Sequence, residues 1–220
     1  MYLFYTNEYK RNSEQSRDLL AKSIRKLVER EPRLDVNPEI ADLVDEELRR
    51  YIADNIELNK NGKPSITGVP DYSISHSENT WAIIFSDAPC GLDIQYNRKT
   101  KLEKITAKFY QEDEQESVNR LGVGEFFRIW SRREALIKAV GGSVFYDAPS
   151  TMGKNAVYGD SEWRIYDISI DSEISGGDNA ETISSDGQHK KSELLHAAAA
   201  VRDDSAFAGT EELQVIRLDV

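Results

Sequence analysis

The amino-acid sequence predicts a protein of the α+β class. Three observations support this prediction: an aromatic-rich first segment with strand character, two segments with apolar residues at helical spacing, and three short β segments in succession within 72–95. At 220 residues, the chain is long enough for one large domain or for two small domains around a shared core.

The N-terminal part predicts one strand and two helices. The segment MYLFYT (1–6) is predicted to form a strand, and a helix is predicted from about Ser13. A second helix has Asn37 at its N-cap and Pro38 at its first position. The apolar stripe that predicts a single helix after this cap consists of Ile40, Leu43, Val44, Leu48, Tyr51 and Ile52. The segment NKNGKP (59–64) is predicted to end this helix in a turn.

Three short β segments follow in the middle of the chain. They are YSISHS (72–77), TWAIIFS (80–86) and CGLDIQ (90–95), and only the short segments EN and DAP separate them. This spacing predicts an antiparallel meander.

The remaining sequence predicts three helices and then a return to strands. A basic helix is predicted over 98–110, a second helix from about Asp113, and a third near 125–140 that ends at Gly141. A polar segment, 171–193, predicts a mobile hairpin loop. The C-terminal strands are predicted over 162–170, 194–201 and 212–219.

The composition excludes several classes of protein. The formal net charge of −11 argues against nucleic-acid binding, so any phosphate ligand must be met by a local group of cations. The chain has no apolar run of about 18 residues, and its N-terminus lacks the basic region and cleavage site of a secretory signal. The single cysteine, Cys90, cannot form an intrachain disulfide. These features predict a soluble, cytoplasmic protein without a membrane partner.

Two segments carry carboxylates that can face each other. On the strand that contains CGLDIQ, Asp93 and Gln95 point to the same face. On the helix near 125–140, Glu134 and Lys138 are one turn apart and share a face. If the two faces meet, they form a cleft that suits Mg²⁺, which keeps several waters and is completed by substrate phosphates.

Two further residues are predicted to lie near this cleft. His76 can donate to a phosphate oxygen, and Lys63 lies on the approach, so the implied site handles a pyrophosphate with a metal. Each residue also has an ordinary structural interpretation. Asp93 can be a hydrogen-bonded structural residue, Glu134 and Lys138 can form a helix ion pair, and His76 can be a surface or capping residue.

The order and spacing of five motifs identify a family. The segments GKPSI, YSISHS, CGLDIQ, KFYQEDE and FFRIWSRREALIKAVGG resemble the motif set of the 4′-phosphopantetheinyl transferases of the larger, surfactin-synthetase-activating type. The resemblance covers about 13–145 and the strand HAAAAV. It implies a transferase of the holo-[acyl-carrier-protein] synthase type, active in fatty-acid or secondary-metabolite biosynthesis.

The resemblance also implies a reaction and an architecture. Such enzymes move the phosphopantetheine arm of coenzyme A to a serine of an apo acyl or peptidyl carrier protein and release adenosine 3′,5′-bisphosphate. The implied fold is two similar α+β halves related by a pseudo-twofold axis, here 1–89 and 90–220, in a monomer with coenzyme A between them.

The resemblance assigns roles to individual residues. The implied Mg²⁺ ligands are Asp93, Glu134 and Gln95. The implied coenzyme A contacts are Lys63, Ser75, His76, Arg17 and Lys138. The implied catalytic residues are Glu134, Lys138 and Glu114, with Glu114 in the position proposed to take the serine proton.

The sequence departs from the family pattern at several positions. Gln95 stands where the family often has a second acid, and Arg133 replaces a lysine, so it cannot carry a proton. Asp18 adds a negative charge near the expected phosphate, and Lys10 and Arg11 are the only early cations. Two alternatives follow: a Mg²⁺-dependent hydrolase of a nucleotide pyrophosphate, and a degenerate protein that binds coenzyme A or a carrier protein without turnover.

The basic helix predicts how a carrier protein docks. Carrier proteins of this kind are acidic, and so is this chain, so a local basic patch must bring them together. The candidate cations are Arg98, Lys99, Lys101, Lys104 and Lys108. The alternative is an ordinary solvated helix face.

Overall fold

The computed structural model describes residues 1–30, 34, 36–142, 148–170, 195–203 and 213–219. The first half of the chain contains a strand, three helices and a group of strands. In order, these are β1 Tyr2–Thr6, α1 Ser13–Arg30, α2 Pro38–Ala41, α3 Asp45–Asn55, β2 Ile56–Leu58, β3 Pro64–Ile66, β4 Asp71–Ser77 and β5 Thr80–Ser86.

The second half begins in the same way, with a strand followed by three helices. In order, its elements are β6 Cys90–Tyr96, α4 Leu102–Phe109, α5 Glu112–Leu121, α6 Val123–Ala139, β7 Asn155–Tyr158, β8 Ser161–Ile168, β9 Leu195–Arg202 and β10 Gln214–Arg217. Among the described residues, no helix is both long enough and apolar enough to span a membrane.

The sheets show that the two halves share a topology. Their strand orders are β10-β1-β5-β4 and β6-β9-β8-β7, and β2 and β3 form a separate hairpin. β1 pairs antiparallel with β5 in the first sheet, and β6 pairs antiparallel with β9 in the second. The α+β class with antiparallel sheets is confirmed. A division at residue 90 stays a prediction, and β10 returns to pair in parallel with β1.

The expected meander ends after its first hairpin. The strands β4 and β5 pair antiparallel as predicted, but β6 pairs with β9 in the other sheet. The physical reason is that both edges of β5 are already taken, one by β1 and one by β4. A third consecutive strand has no free edge of β5 to join.

The single helix expected after Asn37 is divided into α2 and α3. Asn37 caps α2 as predicted, with its side chain accepting from the backbone N–H of Glu39. The helix stops at Asp42, and the guanidinium of Arg25 donates to the carbonyls of Ala41 and Leu43 at the break. This donor satisfies carbonyls that a continuous helix would have used internally.

The structure differs from the sequence prediction in the short strands β2, β3 and β7. The segment around the predicted turn at 59–64 belongs to the β2–β3 hairpin, and β7 was not predicted. The predicted loop at 171–193 lies outside the described residues.

The two four-stranded sheets pack face to face between helices. Leu3 and Ile84 of the first sheet and Leu92 of the second are fully buried in one apolar cluster. The opposite face of the first sheet packs against α1 and α3, and the opposite face of the second packs against α6. This arrangement places β6 beside both α6 and β4.

Candidate active site

A glycine allows β6 to approach α6 closely. A Cβ at Gly91 would overlap the backbone of Ala135 and Ala139, so only glycine fits between the strand and the helix. Asp93 lies two residues further along β6, on the same face, and is 3% exposed. The close approach therefore brings Asp93 to the polar face of α6.

Asp93 is the centre of a buried hydrogen-bond cluster. The Nζ atom of Lys138 lies 2.8 Å from Oδ1 of Asp93, and the hydroxyl of Ser75 donates to the same oxygen at 3.1 Å. The Nε2 atom of Gln95 donates to Oδ2 at 2.9 Å. Lys138 also donates to the carbonyl of Leu92 at 3.0 Å. The structure thus brings together the strand and helix faces that the sequence paired.

Glu134 joins this cluster as a half-buried carboxylate. Burial and, after it, the charge of Asp93 raise the pKa of Glu134 to about 7, although the charge of Lys138 acts to lower it. Among the described ion pairs, Lys138 bonds Asp93 and not Glu134, so the ordinary helix pair is not formed. The site holds two carboxylates beside one ammonium, which leaves negative charge for a further cation to balance.

His76 lies at the exposed edge of the cluster. Its ring is 5.3 Å from the ring of Tyr9, centroid to centroid. Burial lowers the pKa of His76, and the charges of Lys138 and Arg11 lower it further, so the imidazole is neutral at pH 7. Nearby cations and a neutral imidazole make this edge suitable for an anionic ligand.

Arg11, an early cation in the sequence, lies near enough to His76 for its charge to lower the pKa of the imidazole. Its guanidinium donates to the carboxylate of Glu78 at 2.8 Å and to the Glu78 carbonyl at 3.0 Å. Arg11 and Glu78 both have left-handed backbone angles, with φ of 56° and 50°. No local sequence signal marks either residue for this conformation, because neither is glycine or asparagine.

Arg17, by contrast, lies on an exposed part of α1. None of the described contacts joins it to the Asp93 cluster. The neighbouring Asp18 forms an ion pair with Arg49 at 2.8 Å, so its charge is compensated within the first half. The negative charge of Asp18, which was expected to oppose a phosphate ligand, is therefore balanced by Arg49.

The side chains of Lys63 and Ser75 both form hydrogen bonds within the protein. The Nζ atom of Lys63 lies 2.6 Å from Asp71 and 3.0 Å from the carbonyl of Cys90. Asp71 and His76 are at opposite ends of β4, which separates them by about 16 Å along the strand. Lys63 and His76 therefore cannot contact the same phosphate group. Ser75 is 5% exposed, and its hydroxyl is already bonded to Asp93.

Glu114 lies away from the cluster and is fully buried. Its Oε2 accepts from Arg133 at 2.6 Å and from the backbone N–H of Gln111 at 2.9 Å. Its Oε1 accepts from the N–H and the hydroxyl of Thr151 at 2.8 and 2.9 Å. Both oxygens are occupied, so we do not retain Glu114 as the base. Glu114 is the third residue of α5, and its bond to the N–H of the N-cap residue Gln111 is one that a glutamate at this helix position commonly makes.

Arg133 is the partner of Glu114 rather than a cleft residue. Both side chains are fully buried, and Arg133 also donates to the carbonyls of Ala148 and Pro149. The arginine that replaces the family's lysine therefore stabilises the packing of α6 on α5. The Arg133 side chain is committed to this buried ion pair.

The side chains around Asp93 include oxygen atoms that can bind a metal ion. Among the described residues, no group of three or more His, Cys, Asp or Glu side chains is arranged as a complete metal centre. Asp93 and Glu134 supply two carboxylates, and Gln95 supplies an amide. This set fits Mg²⁺, which binds through one or two carboxylates and takes its other ligands from phosphates and water.

The fold and the cleft together define an α+β protein with two carboxylates and a lysine at the contact between β6 and α6. Residues 89–166, which contain this contact, match the 4′-phosphopantetheinyl transferase superfamily. This match covers about a third of the chain and agrees with the family predicted from the motifs.

Two curated proteins are similar to the chain. The 4′-phosphopantetheinyl transferase gsp of Aneurinibacillus migulanus is 32% identical over 98 residues, which cover 42% of this chain and 41% of gsp. The 4′-phosphopantetheinyl transferase psf-1 of Bacillus pumilus is 30% identical over 117 residues, which cover 50% of each protein. The chain thus matches about half the length of these relatives or less.

Proposed function

We propose that this protein transfers the 4′-phosphopantetheine group of coenzyme A to a serine of an apo acyl or peptidyl carrier protein. The reaction requires Mg²⁺ and releases adenosine 3′,5′-bisphosphate. The protein acts as a cytoplasmic monomer, without a nucleic-acid or membrane partner. The observation that carries the proposal is the cluster of Asp93, Glu134 and Lys138 inside the segment that matches the superfamily.

Asp93, Glu134 and Gln95 are the residues that would hold Mg²⁺. When bound, the ion supplies positive charge to the pyrophosphate and to the leaving group. Gln95 contributes an oxygen without charge, so the two carboxylates provide all of the protein's negative charge at the ion. Lys138 holds Asp93 in place and adds a positive charge beside the phosphates.

Glu134 is also our candidate for accepting the serine proton. A general base works best when its pKa lies near the working pH. In the metal-free protein, burial and the charge of Asp93 raise the pKa of Glu134 to about 7, and a bound Mg²⁺ would lower it again. The serine oxygen forms a bond to the phosphorus next to pantetheine, and the bond from that phosphorus to the bridging oxygen breaks. The leaving bisphosphate takes the electron pair, and the serine proton passes to Glu134.

His76 and Arg11 are the candidate phosphate contacts at the exposed edge. The neutral imidazole of His76 can donate one hydrogen bond, and Arg11 supplies a guanidinium that can bind two oxygens. Arg11 must leave Glu78 to do so. Lys63 lies at the far end of β4 and suits a different part of the coenzyme.

One observation favours the non-catalytic alternative. The oxygens of Asp93 accept from Lys138, Ser75 and Gln95, so most of the acceptor sites of this carboxylate are already used within the protein. In a degenerate binder, the cluster would stay closed, and coenzyme A would stabilise the protein without transfer.

The test is a mass-shift assay on a panel of apo carrier proteins, with coenzyme A and Mg²⁺. The expected result is the gain of one phosphopantetheine per carrier, lost on chelation and lost in Asp93→Ala. Coenzyme A without a carrier controls for hydrolysis of the pyrophosphate. Thermal stabilisation by coenzyme A without any mass shift on any carrier would instead identify a binding protein.

A further inference from the structure

The strand that carries Asp93 has one edge with no backbone partner in the described sheets. Along one edge, β6 bonds the backbone of β9. In an antiparallel pair, alternate residues point their N–H and C=O groups away from the partner strand. The next strand in space, β4, meets this outward edge with side chains instead of backbone.

Four acceptors on β4 satisfy four outward N–H groups of β6. The pairs, with donor–acceptor distances, are Cys90 N to Asp71 Oδ2 at 2.7 Å, Leu92 N to Ser73 Oγ at 3.0 Å, Ile94 N to Ser75 Oγ at 3.2 Å, and Tyr96 N to Ser77 Oγ at 3.3 Å. The acceptors occupy every second position of β4, so all four lie on one face. We call Asp71, Ser73, Ser75 and Ser77 the side-chain ladder.

Two lysines complete the same edge of β6. Lys63 donates to the carbonyl of Cys90, and Lys138 donates to the carbonyl of Leu92, both at 3.0 Å. Backbone groups buried without a partner are costly, so an edge strand in the interior needs such donors and acceptors. The polar residues of β4 and these two lysines therefore have a common structural task.

Two of the ladder bonds lie on either side of Asp93. The N–H groups of Leu92 and Ile94, the residues before and after it, bond Ser73 and Ser75. Ser75 also contacts the Asp93 carboxylate, so its own replacement would change two interactions at once. Ser73 is 3% exposed, and its described hydrogen bond reaches only the backbone of β6.

We infer that the side-chain ladder holds Asp93 in register with Lys138 and Glu134, and that Ser73 is a positioning residue for the proposed transfer. This inference rests on the proposed function. Ser73 acts through the backbone of β6, because its hydroxyl fixes the strand at the residue before Asp93. A rigid ladder keeps the carboxylate in place when a ligand competes with Lys138 and Gln95 for its oxygens.

The test compares Ser73→Ala with the matched control Ser86→Ala. Ser86 is also a buried serine, and its hydroxyl also accepts one backbone N–H, that of Ala88 at 3.2 Å, but in the turn between β5 and β6 rather than beside Asp93. Each change removes one acceptor from one N–H group. The measurements are the melting temperature, kcat and KM for coenzyme A, and amide hydrogen exchange at Leu92 and Ala88.

We expect the two substitutions to lower the melting temperature by similar amounts but to differ in their effect on kcat. Ser73→Ala should lower kcat by about tenfold or more and leave KM for coenzyme A within about threefold, because misplacing a catalytic group affects the chemical step. It should also raise the exchange rate of the Leu92 amide. Ser86→Ala should raise exchange at Ala88 only and leave kcat unchanged.

The outcomes separate this inference from the proposed function. A folded Ser73→Ala protein with wild-type kcat, or with a loss no larger than that of Ser86→Ala, overturns the inference. If the wild-type protein transfers nothing to any carrier, the proposed function fails. In that case, amide hydrogen exchange at Leu92 tests the role of the ladder. Faster exchange in Ser73→Ala than in wild type supports the role, and equal exchange in the two proteins overturns it.

Discussion

The raised pKa of Glu134 makes a prediction about stability and pH in the protein without metal or ligand. A carboxyl whose folded pKa lies above its unfolded value stabilises the fold while it is protonated. That stability is fully present below the ordinary value of 4.5 and is lost as the pH rises through about 7. Glu134→Gln removes this titrating group. Relative to wild type, the variant should therefore be more stable at pH 8 than it is at pH 5.

The magnitude follows from the two pKa values. A shift from 4.5 to about 7 changes the free energy of unfolding by about 2.5 kcal/mol between pH 5 and pH 8. Glu134 is only half-buried, so solvent screening reduces the effect to about 1–2 kcal/mol. For a chain of this size, that corresponds to a difference in melting temperature of about 2–8 °C.

The assay is thermal unfolding of wild type and Glu134→Gln at pH 5 and pH 8, in a chelating buffer. His76 and His196 have lowered pKa values, so the quantity to compare is the difference between variant and wild type at each pH. Glu125→Gln is the control on the same helix. Hydrogen bonds from Arg128 lower the pKa of Glu125 to about 2, so its stabilising contribution is constant over this range and is lost only in acid.

Glu125→Gln should therefore lower the melting temperature equally at pH 5 and pH 8. The reasoning on Glu134 is refuted if Glu134→Gln also shifts the melting temperature equally at the two values, or if its advantage is larger at pH 5. Either result would mean that the carboxyl is ionised throughout this range in the folded protein.

Three further predictions concern the metal, the carrier and the buried ion pair. Gln95→Glu should lower the Mg²⁺ concentration needed for half-maximal transfer, since it adds a charge beside Asp93; an unchanged metal requirement would place the side chain outside the metal's reach. Reversing two exposed lysines to Glu, Lys104 of α4 and its N-cap Lys101, should raise KM for the carrier and reduce its salt dependence, with little change in KM for coenzyme A. Equal carrier kinetics at low ionic strength would exclude α4 as the docking surface. Glu114→Gln should destabilise the protein by about 3–5 kcal/mol, because a buried guanidinium loses its counter-charge. If transfer instead stops with no fall in melting temperature, Glu114 belongs to the catalytic cleft.

Local patterns in the sequence determined most of the elements and the faces that carry the site. The helical spacing of Glu134 and Lys138 and the alternation of Asp93 and Gln95 each depend only on residues near in sequence. The cap at Asn37 is equally local, and the structure has it as predicted. Such features follow from backbone geometry, which the chain repeats wherever the same pattern occurs.

Tertiary structure decided which of these faces and edges meet. The partner of β6 is β9, about a hundred residues further along the chain, because the nearer strand β5 has both edges occupied. Lys138 bonds Asp93 across the strand–helix contact instead of Glu134 one turn away. Glu114 is enclosed by Arg133 and Thr151, and Arg11, which has a left-handed backbone, pairs with Glu78. These outcomes depend on which donors, acceptors and strand edges remain free after the rest of the chain has packed, and a local pattern contains no information about that competition.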